Sequence, residues 1–187
     1  MAITTLNLRA LNRSDTASSG QVITATSATA MDFQAAGGGK IGQVVSSLKT
    51  DIETTTSTSY VTTNLSVAIT PVATSSKILI LVAAALNSKN SGHQTMAIID
   101  GGNCATYIGD AATGIEAAMT HIGTYDVKDQ HPFTLMYLDS PSTTSQVTYS
   151  LHYLAKSGGG AVIGGPWTQS SVTGNDASTI TAMEVLA

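Results

Sequence analysis

The chain has 187 residues, of which 42% are hydrophobic and only 11% are charged, and its formal net charge at pH 7 is −4. This length suits one domain with an extension, and the apolar runs and low net charge are not those of a disordered chain. Its 8 basic residues against 12 acidic ones cannot supply the basic patch that neutralises phosphates, which argues against nucleic acid as a ligand.

The N-terminal segment, residues 1–36, is predicted to be an extended attachment arm. Its first residues, MAITTLNLRAL, have neither the apolar core nor the cleavage site of a secretory signal. Residues 14–20 are typical of a loop, whereas residues 21–26 and 28–33 can form two short extended pieces. The arm is too short to bury its own apolar side chains, so we expect them to dock on a partner surface; the alternative is a frayed terminus. The expected attachment residues are Ile3, Leu6, Leu8, Leu11, Val22, Ile23, Met31 and Phe33.

The triple glycine at residues 37–39 is predicted to be a flexible joint between the arm and a domain at residues 40–187. The domain starts with a segment at residues 41–48 that fits either a strand with one irregularity or a weak helical face. Gly42 and the valine pair that follows disfavour a helix, so we predict a strand.

A hairpin at residues 64–86 is the organising element of the domain. In its first arm Leu65, Val67 and Ile69 alternate with small or polar residues, which predicts a half-buried strand. Residues 71–76 have turn chemistry. The second arm contains an unbroken apolar run from residue 78 to residue 86, too short for a membrane-spanning helix. Because it is rich in β-branched residues, we predict a strand covered on both faces, with Leu79 in the core.

The remaining segments also favour strands. Residues 115–125 fit a short helix or a strand, and we favour the strand because threonine, histidine, glycine and tyrosine occupy the second half. The clearest alternation lies at residues 147–154. Turn signals recur roughly every 8–12 residues, and we expect about eight or nine strands in the domain. These features predict an all-β fold, an antiparallel jelly-roll sandwich.

The residue types that carry catalysis or bind metals form no motif. His93, His121, His131 and His152 lack the paired spacing of metal ligands, so we interpret them as surface or interface residues. A single histidine forming a metal site on a threefold axis remains the alternative. Cys104 cannot form an intrachain disulfide, and it is predicted to be a buried structural thiol because no base is fixed beside it.

Other motifs point to no cofactor. Lys40 follows three glycines, but the residue after it is Ile41, so the phosphate-loop pattern is incomplete. The aspartates in loops do not follow the spacing of a calcium loop. Trp167, the only tryptophan, lies in a Gly-Pro-Trp loop and is the candidate for an exposed contact, either facing outward or between subunits.

An ordered series of short motifs resembles a known family. The series is GKIGQVVS at residues 39–46, STSYV at 57–61, LSVAITP at 65–71, SSKIL at 75–79, YLDSP at 137–141 and TAMEV at 181–185. It resembles a group of tailed-bacteriophage virion proteins that is abundant in phages of aquatic bacteria, including cyanobacteria. The resemblance covers about residues 39–187. It implies a compact β jelly roll, a homotrimer, carried on the outside of the particle, with no catalytic residues.

The expected function is therefore that of a structural virion protein. We expect a short tail fibre that is anchored by its arm to other virion proteins and exposes its loops to the host surface, where a glycan is the candidate partner. A capsid decoration (cement) protein that stabilises the head is the alternative, because fibres of this group place a long shaft where this chain has a short arm. A polysaccharide-degrading or deaminating enzyme and a free carbohydrate-binding module are the rival classes. We expect synthesis in the host cytoplasm, no cofactor, and neither nucleic acid nor membrane as a partner.

Overall fold

The computed structural model describes residues 21–25, 31–35, 40–88, 94–104, 109, 118–123, 131–156, 159–165 and 175–186. The secondary-structure elements of these residues are β-strands, and every strand pair among them is antiparallel. The predicted all-β class is confirmed. The strands are β1 (Gln21–Ala25), β2 (Met31–Ala35), β3 (Ile41–Lys49), β4 (Glu53–Thr55), β5 (Val61–Ile69), β6 (Lys77–Ser88), β7 (Gln94–Asp100), β8 (Thr120–Gly123), β9 (His131–Asp139), β10 (Val147–Ala155), β11 (Ala161–Ile163) and β12 (Ser178–Val185).

The chain divides into two compact units, residues 1–39 and residues 40–187. In the first unit β1 and β2 form an antiparallel ladder that pairs Gln21 with Ala35 and Ala25 with Met31. The second unit contains the other strands and has its own hydrophobic core. The rest of the description concerns this second unit.

The larger sheet is organised around β6, as the apolar run predicts. β9 pairs with one edge of β6 from Ile78 to Leu86. The opposite edge pairs first with β12, as far as Ala83, and then with β11 from Leu86 onward. The sheet therefore divides near Ala84. One branch has the strand order β9-β6-β12-β3, and the other ends in the short strands β11 and β4.

The smaller sheet has the strand order β5-β10-β7-β8. Its inward side chains meet those of the larger sheet in one hydrophobic cluster, so the two sheets form a β-sandwich. The alternation predicted for β5 and β10 is confirmed, because successive side chains of a pleated strand point to opposite faces. The largest fully buried side chains of these two strands and of β6 are Leu65, Ile69, Ile78, Ile80, Leu86, Tyr149, Leu151, Tyr153 and Leu154.

Two predictions about β6 are wrong. The predicted hairpin at residues 64–86 does not form, because its first arm, β5, pairs with β10 in the smaller sheet, whereas its second arm, β6, lies in the larger sheet. The second wrong prediction concerns the burial of β6. Ile78, Ile80 and Val82 are buried in the sandwich, but Leu79 and Leu81 point to the other side of the sheet and stay partly exposed. The second sheet covers only one face of β6 between residues 77 and 83. An unbroken apolar run indicates that both faces need apolar surroundings, but it does not tell whether the same chain supplies both.

Two ambiguous segments are resolved as strands, and two strands were not expected. Residues 41–49 form β3, and its irregularity is a register shift opposite Met183 and Val185. Residues 120–123 of the segment 115–125 form β8, whereas most of the others lie outside the described residues. The short strands β4 and β11 lie in segments for which the sequence predicts no strand. Each is three residues long, too short for a periodic pattern.

Candidate interaction surface

Most of the predicted contact residues lie where the structure gives no side chains. Ile3, Leu6, Leu8, Leu11 and Trp167 are outside the described residues. The backbone of Val22 and Ile23 lies in β1 and that of Met31 and Phe33 lies in β2, but nothing is described of their side chains. The attachment role of these residues and the contact role of Trp167 therefore stay predictions.

Two of the four histidines have described surroundings. The His152 ring lies on β10, with Nε2 3.2 Å from Ser150 Oγ and 3.6 Å from Asp100 Oδ2. His131 begins β9 and is partly buried. His93 and the side chain of His121 are outside the described part of the chain. Among the described residues, no group of three or more histidine, cysteine or acidic side chains is placed to hold a metal ion.

Cys104 is fully buried in the turn after β7. Gly101 and Gly102 have positive φ values of 123° and 52° and shape this turn, and the Cys104 N–H donates to the Gly101 carbonyl at 3.0 Å. Burial, together with the negative charges of Asp139 and Asp100, raises the pKa of the Cys104 thiol to about 12. A thiol so rarely ionised is a poor nucleophile.

Cys104 is therefore expected to resist thiol reagents in the folded protein. At pH 8 the native chain should react with an aromatic disulfide reagent far more slowly than the same chain in denaturant, where the thiol is exposed and its pKa is ordinary. Thr148→Cys supplies the control, because Thr148 is exposed on β10 and a thiol there should react at once. Rapid labelling of native Cys104 would contradict the buried position.

A second buried cluster is built around Asp139, the last residue of β9, whose side chain is 0% exposed. Its carboxylate accepts hydrogen bonds from the Tyr149 hydroxyl at 2.7 Å and from the Ser140 N–H at 2.8 Å. The Asn103 N–H lies 3.3 Å from both carboxylate oxygens. Burial raises the pKa of Tyr149, and the hydrogen bond to Asp139 raises it further. This network joins β9, β10 and the turn after β7, and we assign it to structure.

A third cluster surrounds Glu184 on the inward face of β12. Its carboxylate accepts from Gln43 Nε2 at 2.7 Å and from the Val72 N–H at 2.7 Å. Burial acts to raise the pKa of Glu184, but these hydrogen bonds outweigh it and hold the pKa below its ordinary value. The contact ties β3 and the turn between β5 and β6 to the end of β12. Sequence reasoning missed this residue, although a glutamate at an inward position of an alternating strand was a usable signal.

The surface that stands out is the side of the larger sheet that faces away from the smaller one. The ladders of β3, β12, β6 and β9 align its side chains in rows across four strands, because directly paired residues lie on the same face. We call this set the apolar outer face. Its rows are Val44-Met183-Leu79-Leu138, Ser46-Thr181-Leu81-Met136 and Leu48-Thr179-Ala83-Thr134, flanked by Ile41-Val185-Lys77 at one end and by Ala85-Pro132 at the other.

The large hydrophobic side chains of this face are strongly exposed. Met136 is 69% exposed, Leu48 62% and Val44 56%. Of the six large hydrophobic side chains classed as exposed among the described residues, five lie on this face and the sixth, Val72, lies in the turn between β5 and β6. Lys77, at a corner, is the only charged residue in the rows. Contiguous apolar surface of this kind marks an interaction site more often than a free surface.

The corresponding side of the smaller sheet has a different character. Its exposed half carries polar side chains, among them Thr62, Thr148, Ser150 and His152. Its apolar half is already covered, because Met96, Ile98 and Leu154 pack against Ala118 and Met119. Within the described residues, the apolar outer face is thus the one sheet surface that exposes large hydrophobic side chains.

A groove of about 730 Å³ opens at the end of this face, where the larger sheet divides. Its lining combines small side chains with one aromatic ring and one carboxylate: Ala83, Ala84, Ala85, Pro132, Phe133, Thr134, Asp176, Ala177 and Thr179. The groove continues the apolar surface rather than forming a separate polar site, because Ala83, Thr134 and Thr179 belong to both. It therefore extends the candidate interaction surface.

The comparisons with known proteins give no family for the chain. It matches no model of a known protein family. No curated protein sequence matches it either. Among the residues that the structure describes, no helix is long and apolar enough to cross a membrane. A function for the chain must therefore be argued from its surfaces and its sequence.

Proposed function

We propose that this chain is a structural protein of a tailed-phage virion. It is a trimeric jelly-roll appendage, a short tail fibre, anchored by residues 1–36 and exposing its loops to the host surface. The observation that carries the proposal is the apolar outer face, which suits a protein whose subunits are buried against one another. An assembly also buries surface at little electrostatic cost here, since only 11% of the residues are charged.

The strand order supports the architecture in this proposal. Two sheets of four principal strands, β3-β12-β6-β9 and β5-β10-β7-β8, place the first and the last strand of the domain side by side. Such adjacency arises when a long antiparallel ribbon is wrapped into two facing sheets, as in a jelly roll. The motifs that resemble phage virion proteins run along the same domain, from residue 39 to residue 185.

The division of the chain supports the role given to the arm. Residues 40–187 form one unit with a complete core, whereas residues 1–39 form another that includes the β1-β2 ladder. Three glycines precede Lys40 and allow the two units to take different directions. An anchor on a platform of different orientation needs this freedom.

The test uses particles that lack the native protein. Full-length chain should be incorporated into them, whereas a chain that begins at Lys40 should fold and associate with itself but remain free, because the attachment arm is missing. Copy number then places the protein: a few tens per particle or fewer indicate the tail, and hundreds indicate capsid decoration. Absence of the full-length chain from purified particles would overturn the virion role. Equal incorporation of both chains would show that the anchor lies in the sandwich.

A further inference from the structure

The sequence of β6 predicts burial on both sides of the strand, but the described structure covers only one side fully. Leu79 and Leu81 are as apolar as Ile78 and Ile80, yet they point away from the core and no part of the described chain covers them fully. Their neighbours across the ladder, Met136 and Leu138, are still more exposed. A strand that is apolar on both sides is typical of a sheet that is covered on both sides. No described residue of the sandwich supplies this cover.

We propose that the apolar outer face packs against a second copy of this chain. The inference rests on the homotrimer of the proposed function and states which surface of each subunit forms its contacts. The first argument is electrostatic. The chain has a net charge of −4, and none of its acidic residues belongs to the rows of this face, so the weak repulsion between copies arises elsewhere on the subunit. The rows of the face contain a single charge, Lys77 at a corner, and here copies approach without like-charge repulsion.

The second argument is size. Four strands at about 4.8 Å spacing and the length of β6 from Lys77 to Ala85 at about 3.4 Å per residue give a footprint of roughly 500 Å². In a trimer the three faces turn toward the threefold axis, and each face meets those of both neighbours. Removing one subunit then uncovers its own face and half of each neighbouring face, roughly 1,000 Å² in all, which reaches the lower bound for a specific interface. The groove beside Ala83 adds to this area and offers room for side chains of the neighbour.

The third argument is chemical matching. The face presents aliphatic side chains separated by threonine, serine and alanine, and its three central rows contain no charged residue. Its best partner is flat, apolar and neutral, and the chain itself provides that surface in every copy. Among the described residues no strand pairs with the outer edges of β3 and β9, and a closed trimer brings these edges of neighbouring subunits toward each other.

The experiment introduces charge on opposite borders of the face in the full-length chain. Met136→Glu on β9 and Val44→Glu on β3 change exposed side chains, so each subunit should keep its fold. Thr148→Glu on β10 is the matched control, since it adds the same charge at an exposed strand position of the other sheet. Light scattering coupled to gel filtration at micromolar concentration should give about three chain masses for the native chain and the control, and one mass for both face variants. Circular dichroism verifies that the variants remain folded β-proteins.

Other results overturn the inference in recognisable ways. If both folded face variants keep the mass of the native chain, the subunits meet elsewhere. If they keep that mass but no longer enter particles, a different virion protein covers the face. If the native chain itself gives the mass of a single chain, the trimer and this inference are overturned together. The virion role is decided separately, by incorporation into particles.

Discussion

Replacing Ile80 with alanine is expected to lower the free energy of unfolding by about 2–5 kcal/mol, the usual cost of deleting a large aliphatic side chain from a core. Ile80 is 0% exposed and belongs to the cluster shared by both sheets. Its neighbours in the ladder are Tyr137 on β9 and Ala182 on β12. Because both flanking strands fix β6, the backbone has little freedom to close the cavity, and the loss should lie within this range.

Leu79→Ala is the matched control, since it removes a side chain of the same size from the adjacent position of the same strand. Leu79 points to the apolar outer face and is partly exposed, so its truncation should cost the isolated subunit less. Urea unfolding should be measured for both changes in a Met136→Glu background, where association no longer adds to stability. Equal losses for the two variants would show that both sides of β6 are buried within one subunit.

This pair of variants shows what a pattern of hydrophobic residues can and cannot predict. The period of two in β5 and β10 predicts which side chains are buried, because a strand with one polar side has only one way to face a core. Leu65 and Tyr149 lie where that rule places them. The run at residues 78–82 has no polar side and contains no information about which layer covers which face. Only the position of the second sheet reveals that Leu79 and Leu81 point outward.

The interaction surface escaped prediction for a related reason. Val44 and Leu138 are 94 positions apart, so the row that joins them exists only after β3, β12, β6 and β9 have paired. Single residues such as Met136 look like ordinary strand residues in the sequence. The low charge of the chain did indicate a surface suited to assembly, but not its location. The same holds for buried polar contacts such as that of Gln43 with Glu184, which spans 141 positions.

The Asp139 cluster should contribute as much to stability as a large core residue. Asp139→Ala leaves the Tyr149 hydroxyl without its acceptor in a buried site, and an unpaired buried donor costs about 1–3 kcal/mol. The Ser140 N–H, whose hydrogen bond to Asp139 is partly buried, loses its acceptor as well. The Asn103 N–H loses the same acceptor. We therefore expect a loss of about 3–5 kcal/mol in the free energy of unfolding. Asp100→Asn on β7 is the control, because Asp100 is about half exposed and its ion-pair distance to His152 is 3.6 Å, so its loss should stay within about 1 kcal/mol.

Asp139→Asn and Tyr149→Phe separate the hydrogen bonds from the cavity that alanine leaves. The asparagine side chain keeps one accepting oxygen, and the Tyr149 hydroxyl can rotate to accept from the new amide, so this variant should lose less than Asp139→Ala. Tyr149→Phe removes a donor and leaves a charged acceptor that still has the Ser140 and Asn103 N–H groups. A double-mutant cycle by urea unfolding should give a coupling of about 0.5–3 kcal/mol between the two positions. If the two changes add without coupling, the contact between Tyr149 and Asp139 does not stabilise the fold, and the buried carboxylate must be held by the backbone donors alone.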